Sequence, residues 1–235
     1  MSPRPFVHLH LHSQYSLLDG AIKLDPLFAR AKGLAMPAVG LTDHGNLFGA
    51  VEFHEAAAKY GVQPILGCEL YIAAGSRFDK EVRERDESGF DAISHLLLLA
   101  MDETGYRNLM TLVSRAYLEG FYYKPRIDMD LLRQHAAGLI ATSGCLSSLM
   151  SRAILAGNLD TAWRTAEDFA GLFAGRFYLE LQRHGIGAQD RVNSELVKVT
   201  LDLRLPLLAT NDAHYLAAED QEHHDALLCI GTGKN

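Results

Sequence analysis

Cysteine is scarce in this 235-residue chain: Cys68, Cys145 and Cys229 are scattered, odd in number and contain no C-x-x-C pair. That excludes a disulfide framework and a four-cysteine zinc site. No run of about 18 apolar residues occurs, so no membrane span is expected. The opening MSPRPFVHLHLH has no apolar core of a secretory signal, which makes the cytoplasm the expected compartment. Nor is the chain basic. Its net charge of −7 argues against a broad nucleic-acid-gripping surface, so any such contact should be local.

Composition is otherwise that of a globular protein, 48% hydrophobic and 22% charged, with room for a real core. Seven short apolar runs stand out: Phe6–Leu11, Ala38–Thr42, Pro64–Ile72, His95–Ala100, Gly138–Thr142, Phe177–Leu181 and Leu207–Thr210. Between most of them lie stripes of helical period, such as Leu24, Leu27, Phe28, Ala31 and Leu34. Others are Leu109/Leu112/Val113/Ala116, Leu159 through Phe173, and Val192/Leu196/Val199/Leu203. Strands alternating with helices predict parallel βαβ units and, with seven of them, an α/β fold closed as a distorted (β/α)7 barrel. An open doubly wound sheet is the competing architecture. Ala73–Ser94 is charged and breaks the rhythm, reading as a long solvated loop or a flap over a site. The end, DALLCIGTGKN, reads as a helix running into a glycine loop, so the chain is expected to be one domain, residues 1–235, of a longer protein. GTGK is not a phosphate-binding loop, because Leu228 stands where that pattern needs glycine and Asn235 where it needs Ser or Thr.

In parallel α/β folds ligands bind beyond the carboxyl ends of the strands. There the runs carry His10 and His12, followed by Asp19; then Asp43 and His44 in LTDHG, Cys145 in ATSGC, and Asp212 and His214 in ATNDAH. Glu69 lies inside the apolar run PILGCELYIA. Each alone has a bland explanation: surface histidines on a strand, a capping Asp, a structural ion pair, a small core thiol. Together at one barrel end they form a metal-ligand set too large for one ion. Two or three ions suit phosphoryl chemistry, and imidazole, carboxylate and thiolate together favour zinc, manganese or iron over magnesium or calcium. His54, His135, His184, His223 and His224 read as surface residues. His8 shares the face of His10 and His12 if the segment is a regular strand, and reads with Asp43 as support behind the ligands.

The segments FVHLHLHSQYSLLDG, MPAVGLTDHGNLFGAVEF, PILGCELYIA, HLLLLA, TGYRNLM, GFYYKPRID, ATSGCL and ATNDAHYL resemble, in order, the PHP (polymerase and histidinol phosphatase) domain of bacterial DNA polymerase III alpha subunits. The resemblance implies a distorted seven-stranded barrel with up to three divalent ions. It implies nine ligands: His10, His12, Asp19, His44, Glu69, His95, Cys145, Asp212 and His214. One ion would take His10, His12, Glu69 and Asp212; a second Glu69, His95 and Cys145; a third Asp19, His44 and His214. His95 enters only through the resemblance, since a regular parallel strand HLLLLA would start at the opposite barrel end.

The implied activity is metal-dependent phosphodiester hydrolysis, a 3′→5′ proofreading exonuclease releasing nucleoside monophosphates from a DNA 3′ end. Zinc or manganese is the first expectation for the ions, magnesium or iron the alternative. Lys124 and Arg126 are the candidate phosphate contacts, and Tyr122 and Tyr123 either stack bases or pack internally. Implied partners are the rest of the polymerase subunit and a separate proofreading subunit. The rival readings are a small-molecule phosphatase of the same family, an amidohydrolase, and a non-catalytic scaffold that docks the proofreading subunit.

Overall fold

The computed structural model describes residues 6–80 and 93–233. Residues 81–92 of the charged segment, and the flap reading attached to them, lie outside the described residues. Helix α1 (Leu24–Gly33) precedes β1 (Ala38–Leu41), α2 (Ala50–Tyr60), β2 (Gln63–Ala73) and β3 (Ile93–Ala100). There follow α3 (Glu103–Leu118), β4 (Arg126–Ile127), α4 (Met129–Gln134), β5 (Leu139–Thr142), α5 (Leu149–Leu155) and α6 (Leu159–Leu172). The chain continues through β6 (Phe177–Leu181), α7 (Gly187–Leu203), β7 (Leu207–Ala209) and α8 (Gln221–Thr232). Four helices begin where a side chain takes up a free amide: Asp102, Asp128, Ser148 and Asn158 accept from the third residue onward.

The strands form one curled sheet in the order β1-β2-β3-β5-β6-β7, with β4 pairing the far end of β2. Two features differ from the sequence expectation. First, β3 runs antiparallel to both β2 and β5, although a parallel sheet was expected. A parallel pair needs a crossover connection, and no helix joins β2 to β3 among the described residues. Second, Phe6–Leu11 is not a regular strand; among the described residues its one ladder contact is the bridge Leu11↔Ala213. The segment crosses β1 closely at Gly40, where an added Cβ would stand 3.1 Å from Leu9 Cα and from His8 O. The seventh strand is instead the two-residue β4, within the stretch GFYYKPRID.

The irregular segment still completes the barrel. On one side Gly40 N donates to His8 O and Thr42 N to Leu11 O; on the other His12 N donates to Ala213 O and Ala213 N to His10 O. Residues 8–12 therefore join the β1 edge of the sheet to the chain leaving β7.

Alternation along β2 decides what faces what. Cys68, Leu70 and Ile72 enter a large core with Leu98, Leu112, Ile127, Phe169, Phe173 and Phe177, while Glu69 and Tyr71 point the other way. A second core of Leu11, Ile22, Phe28, Val39, Leu41 and Phe53 anchors α1 and α2. Phe28 and Phe53 are wholly buried with ring centroids 4.8 Å apart, each contributing about 2–3 kcal/mol of apolar burial. Among the described residues no helix is long and apolar enough to cross a membrane.

Candidate metal centre

Glu69 is the hub. Its side chain is 1% exposed, and its two oxygens face different groups. Oε2 lies 3.3 Å from His10 Nε2, 3.1 Å from His12 Nε2 and 3.1 Å from His44 Nδ1. Oε1 lies 2.9 Å from His95 Nδ1 and 3.4 Å from Cys145 Sγ. The antiparallel course of β3 brings His95 here: the strand starts at the barrel end where the parallel strands finish, and His95 pairs with Tyr71, two residues beyond Glu69.

Asp212 closes the first group, with Oδ1 3.2 Å from both His10 Nε2 and His12 Nε2. Its backbone sits at φ 47°, in the left-handed region, a conformation that costs about 1–3 kcal/mol away from glycine and is typical of functional sites. A third group forms around Asp19, whose Oδ2 is 2.8 Å from His44 Nε2 and 3.5 Å from His214 Nε2. The His12 ring lies close to the rings of both His44 and His214, at centroid distances of 4.1 and 4.3 Å, and those two are 6.0 Å from each other.

Burial alone would raise the Asp19 and Asp212 carboxyls, but the histidines facing them hold both well below the usual range. The same pairs act in reverse on the rings. Burial works against charge at His44, yet Glu69 and Asp19 raise it to about 10. His10 and His214 are raised likewise by their carboxylates despite burial. Burial and neighbouring Glu69 and Asp212 push the Cys145 thiol up, so without a cation it stays protonated.

The residues fit divalent cations. His12 Nε2, His44 Nδ1 and Asp212 Oδ1 are buried yet make no hydrogen bond, although carboxylate oxygens face the two rings, and the His12 ring faces Asp212, at 3.1–3.2 Å. Buried polar atoms are rarely left so. Donors about 2.1 Å from a shared tetrahedral ion lie about 3.4 Å apart, close to these spacings. Three sets have ligand atoms within 4.8 Å of one another: His10/His12/Glu69/Asp212, His44/Glu69/His95 and His12/His44/His214. His44 thus stands between the groups, and Cys145 lies 3.9 Å from His95 Nδ1.

The support behind the ligands is not where the sequence reading put all of it. Asp43 does stand there: it accepts from Ser13 N and from the hydroxyls of Ser13 and Ser16, and Ser16 Oγ is 3.0 Å from His12 Nδ1. His8 does not. Because residues 6–10 are irregular, His8 leaves the face of His10 and lines a 230 Å³ cavity with α1 residues Leu27 and Ala31, its ring edge-on to Phe6. The group behind His10 is Glu180 on β6, with Oε1 2.7 Å from His10 Nδ1. Sequence reasoning missed it, although an acid inside the apolar run FYLEL is the same signal that singled out Glu69 in PILGCELYIA. His224 was also misread as a surface residue: it is buried on α8, and its ring meets the Asp19 carbonyl at 2.8 Å.

Arg126 is not brought to the site. It is buried, and its guanidinium donates to the carbonyls of Gly120 and Asp79, tying two connections together. Lys124 is exposed at the rim, its ammonium 5.3 Å from the Tyr71 ring centre; Tyr71 in turn stacks at 5.9 Å on His44. Tyr122 packs against Arg126 and Tyr123, and Tyr123 is 77% exposed.

The Asp19 turn is tight. A Cβ on Gly20 would fall 2.1 Å from the Ser13 carbonyl oxygen, so the turn must open to admit one. Gly20→Ala is expected to lower stability by about 1–3 kcal/mol, as overpacking does, seen as a lower urea midpoint. An unchanged midpoint would show the turn to be slack.

A curled α/β barrel with a multi-histidine, multi-carboxylate cluster at one end defines a fold with a candidate metal centre, and the comparisons give it a family. The chain belongs to the PHP domain family, whose model matches residues 8–184. It is 50% identical over 228 residues to the DNA polymerase III subunit alpha of Borreliella burgdorferi, covering 97% of this chain and 20% of that protein. Against the Thermus aquaticus DNA polymerase III subunit alpha it is 49% identical over 227 residues, covering 96% of this chain and 18% of that protein. The chain therefore spans about a fifth of the length of these relatives. In structure it is similar to a Bifidobacterium adolescentis protein described as a metal-dependent phosphoesterase, with TM-score 0.56 and 15% identity over 91% of this chain and 89% of that one. It is also similar to an amidohydrolase from Chromobacterium violaceum, with TM-score 0.51 and 16% identity over 94% of this chain and 96% of that one. At such identities the two likenesses bear on the fold alone.

Proposed function

We propose that this chain is the metal-dependent phosphodiesterase domain of a replicative polymerase subunit and removes nucleotides from a DNA 3′ end. The observation that carries the reading is Glu69, a buried carboxylate whose two oxygens each serve a separate ligand group. A shared carboxylate is what a centre of clustered cations needs. Cations held there, zinc or manganese by donor chemistry, would supply Lewis acidity toward water and phosphate oxygens. His10, His12, Asp212 and Glu69 would hold one, Glu69, His95 and Cys145 another, and Asp19, His44 and His214 a third.

The chain's own groups orient the substrate. Lys124 stands at the rim, where an ammonium can meet a phosphate oxygen as a point charge. Exposed Tyr123 beside it offers a ring face to a terminal base. With Arg126 committed to backbone carbonyls and a net charge of −7, the strand is delivered by neighbouring parts of a larger polymerase. Work in the cytoplasm on replicating DNA is part of the same reading, as is the neighbourhood of a separate proofreading subunit.

The test is release of nucleoside monophosphate from a 3′-mismatched DNA with zinc or manganese, beside a His12→Ala variant. Release lost in the variant supports the exonuclease. Bound metal with no release by either protein leaves the scaffold reading. Release by both at one rate points to a contaminating nuclease.

A further inference from the structure

We infer that Glu180 is the positioning residue of the centre, holding the His10 ring so that Nε2 faces the ligand group. The inference rests on the metal-dependent reading above and deepens it. Glu180 lies on β6, wholly buried, in no ligand set, and across the His10 ring from Glu69. Its Oε1 receives His10 Nδ1–H at 2.7 Å, the Gln182 amide at 3.0 Å and the Thr210 hydroxyl. Its Oε2 receives the Thr142 hydroxyl. Every partner is a donor, so the carboxylate is surrounded as an ion. Burial raises its pKa, but His10 and the two threonine hydroxyls bring it below the ordinary value.

The cage comes from three different places in the sheet: Thr142 on β5, Glu180 on β6 and Thr210 just after β7. It fixes Glu180, and Glu180 fixes the ring. With Nδ1–H committed to the carboxylate, Nε2 is the nitrogen left for a cation, and it already points at Glu69 and Asp212, 3.2–3.3 Å away. A carboxylate behind a ligating histidine sets the tautomer, holds the ring plane and raises ligand basicity. His10 comes from an irregular segment, not a regular strand, and its backbone alone does not aim the ring.

The experiment uses the 235-residue chain labelled with 15N-histidine, as wild type and as Glu180→Ala and Glu180→Gln. Zinc affinity is read by chelator competition, and the His10 Nδ1–H proton by NMR with and without zinc. Wild type should show a downfield Nδ1–H line protected from exchange in both states. Glu180→Ala should lose the line and bind zinc about 10–100-fold more weakly. Glu180→Gln, which keeps an acceptor of the same shape, should keep the line and recover most of the affinity. Wild-type affinity in Glu180→Ala would overturn the inference. So would a Glu180→Gln variant that keeps the line yet binds as weakly as Glu180→Ala. Circular dichroism checks folding, and if the alanine variant is unfolded the glutamine variant decides. A wild-type chain that binds zinc but hydrolyses no DNA removes the exonuclease reading and leaves the role of Glu180 to be judged by affinity and the Nδ1–H line.

Discussion

Replacing Glu69 with alanine should cut metal-dependent phosphodiester hydrolysis by roughly 10³-fold and lower the count of bound ions by more than one. A cation contributes several kcal/mol of transition-state charge stabilisation, and about 4 kcal/mol corresponds to three decades of rate. No other ligand should cost as much, because only Glu69 turns one oxygen to His10, His12 and His44 and the other to His95 and Cys145. Cys145→Ala supplies the contrast: it removes a donor from a single group and should lower the ion count by no more than one. The fold should survive the loss of Glu69. Histidines deprived of a carboxylate release protons instead of keeping an unpaired buried charge, so circular dichroism should match wild type. Inductively coupled plasma mass spectrometry and monophosphate release are the measurements. An unchanged ion count in Glu69→Ala would refute the bridging role.

The second large effect is on pH. In the metal-free chain the imidazoles of His10, His44 and His214 carry protons to higher pH than usual, His44 to about 10. A cation must displace those protons, so its affinity rises about tenfold per pH unit for each one released. With more than one such ring, zinc affinity between pH 6 and 8 should climb more steeply than tenfold per unit. Stability of the metal-free chain moves the other way. A raised imidazole pKa stabilises the fold fully below about 6.5, and at His44 that stabilisation is lost as pH rises through about 10. The lowered carboxyls of Asp19, Glu69 and Asp212 stabilise above about pH 4.5, an effect lost as pH falls through their folded values. The chelated chain should therefore resist urea best between about pH 4.5 and 6.5. Isothermal titration with zinc and urea midpoints across pH test both. A flat zinc affinity would mean that the rings are neutral already.

How far these residues were legible depended on chain direction. His10, His12, His44, Asp212 and His214 stand where apolar runs end, and in a parallel sheet all such ends meet. His95 opens its run, and only the reversed course of β3 brings it to the same end. Nothing local in HLLLLA announces that reversal. His8 was misplaced for a related reason: a period of two was assumed for a segment whose single bridge does not impose it. Arg126 looked available because guanidinium groups suit phosphates, while its carbonyl partners at Gly120 and Asp79 come from connections whose approach no periodicity reveals. Glu180 needed no new principle. An acid in an apolar run was visible, but its neighbours Thr142 and Thr210 are distant in sequence, and only their convergence gives it a role.

The bridge between Leu11 and Ala213 has a consequence for assembly order. It joins positions about two hundred residues apart, with His10 and His12 flanking one side and Asp212 and His214 the other. At synthesis rates of about 5–20 residues per second, the first two histidines wait roughly 10–40 s on the ribosome after they are made before Asp212, the second of their carboxylate partners, exists. On a translating ribosome the centre therefore cannot close before residue 214 is made. Refolding from denaturant lifts that order, since the whole chain is then present at once.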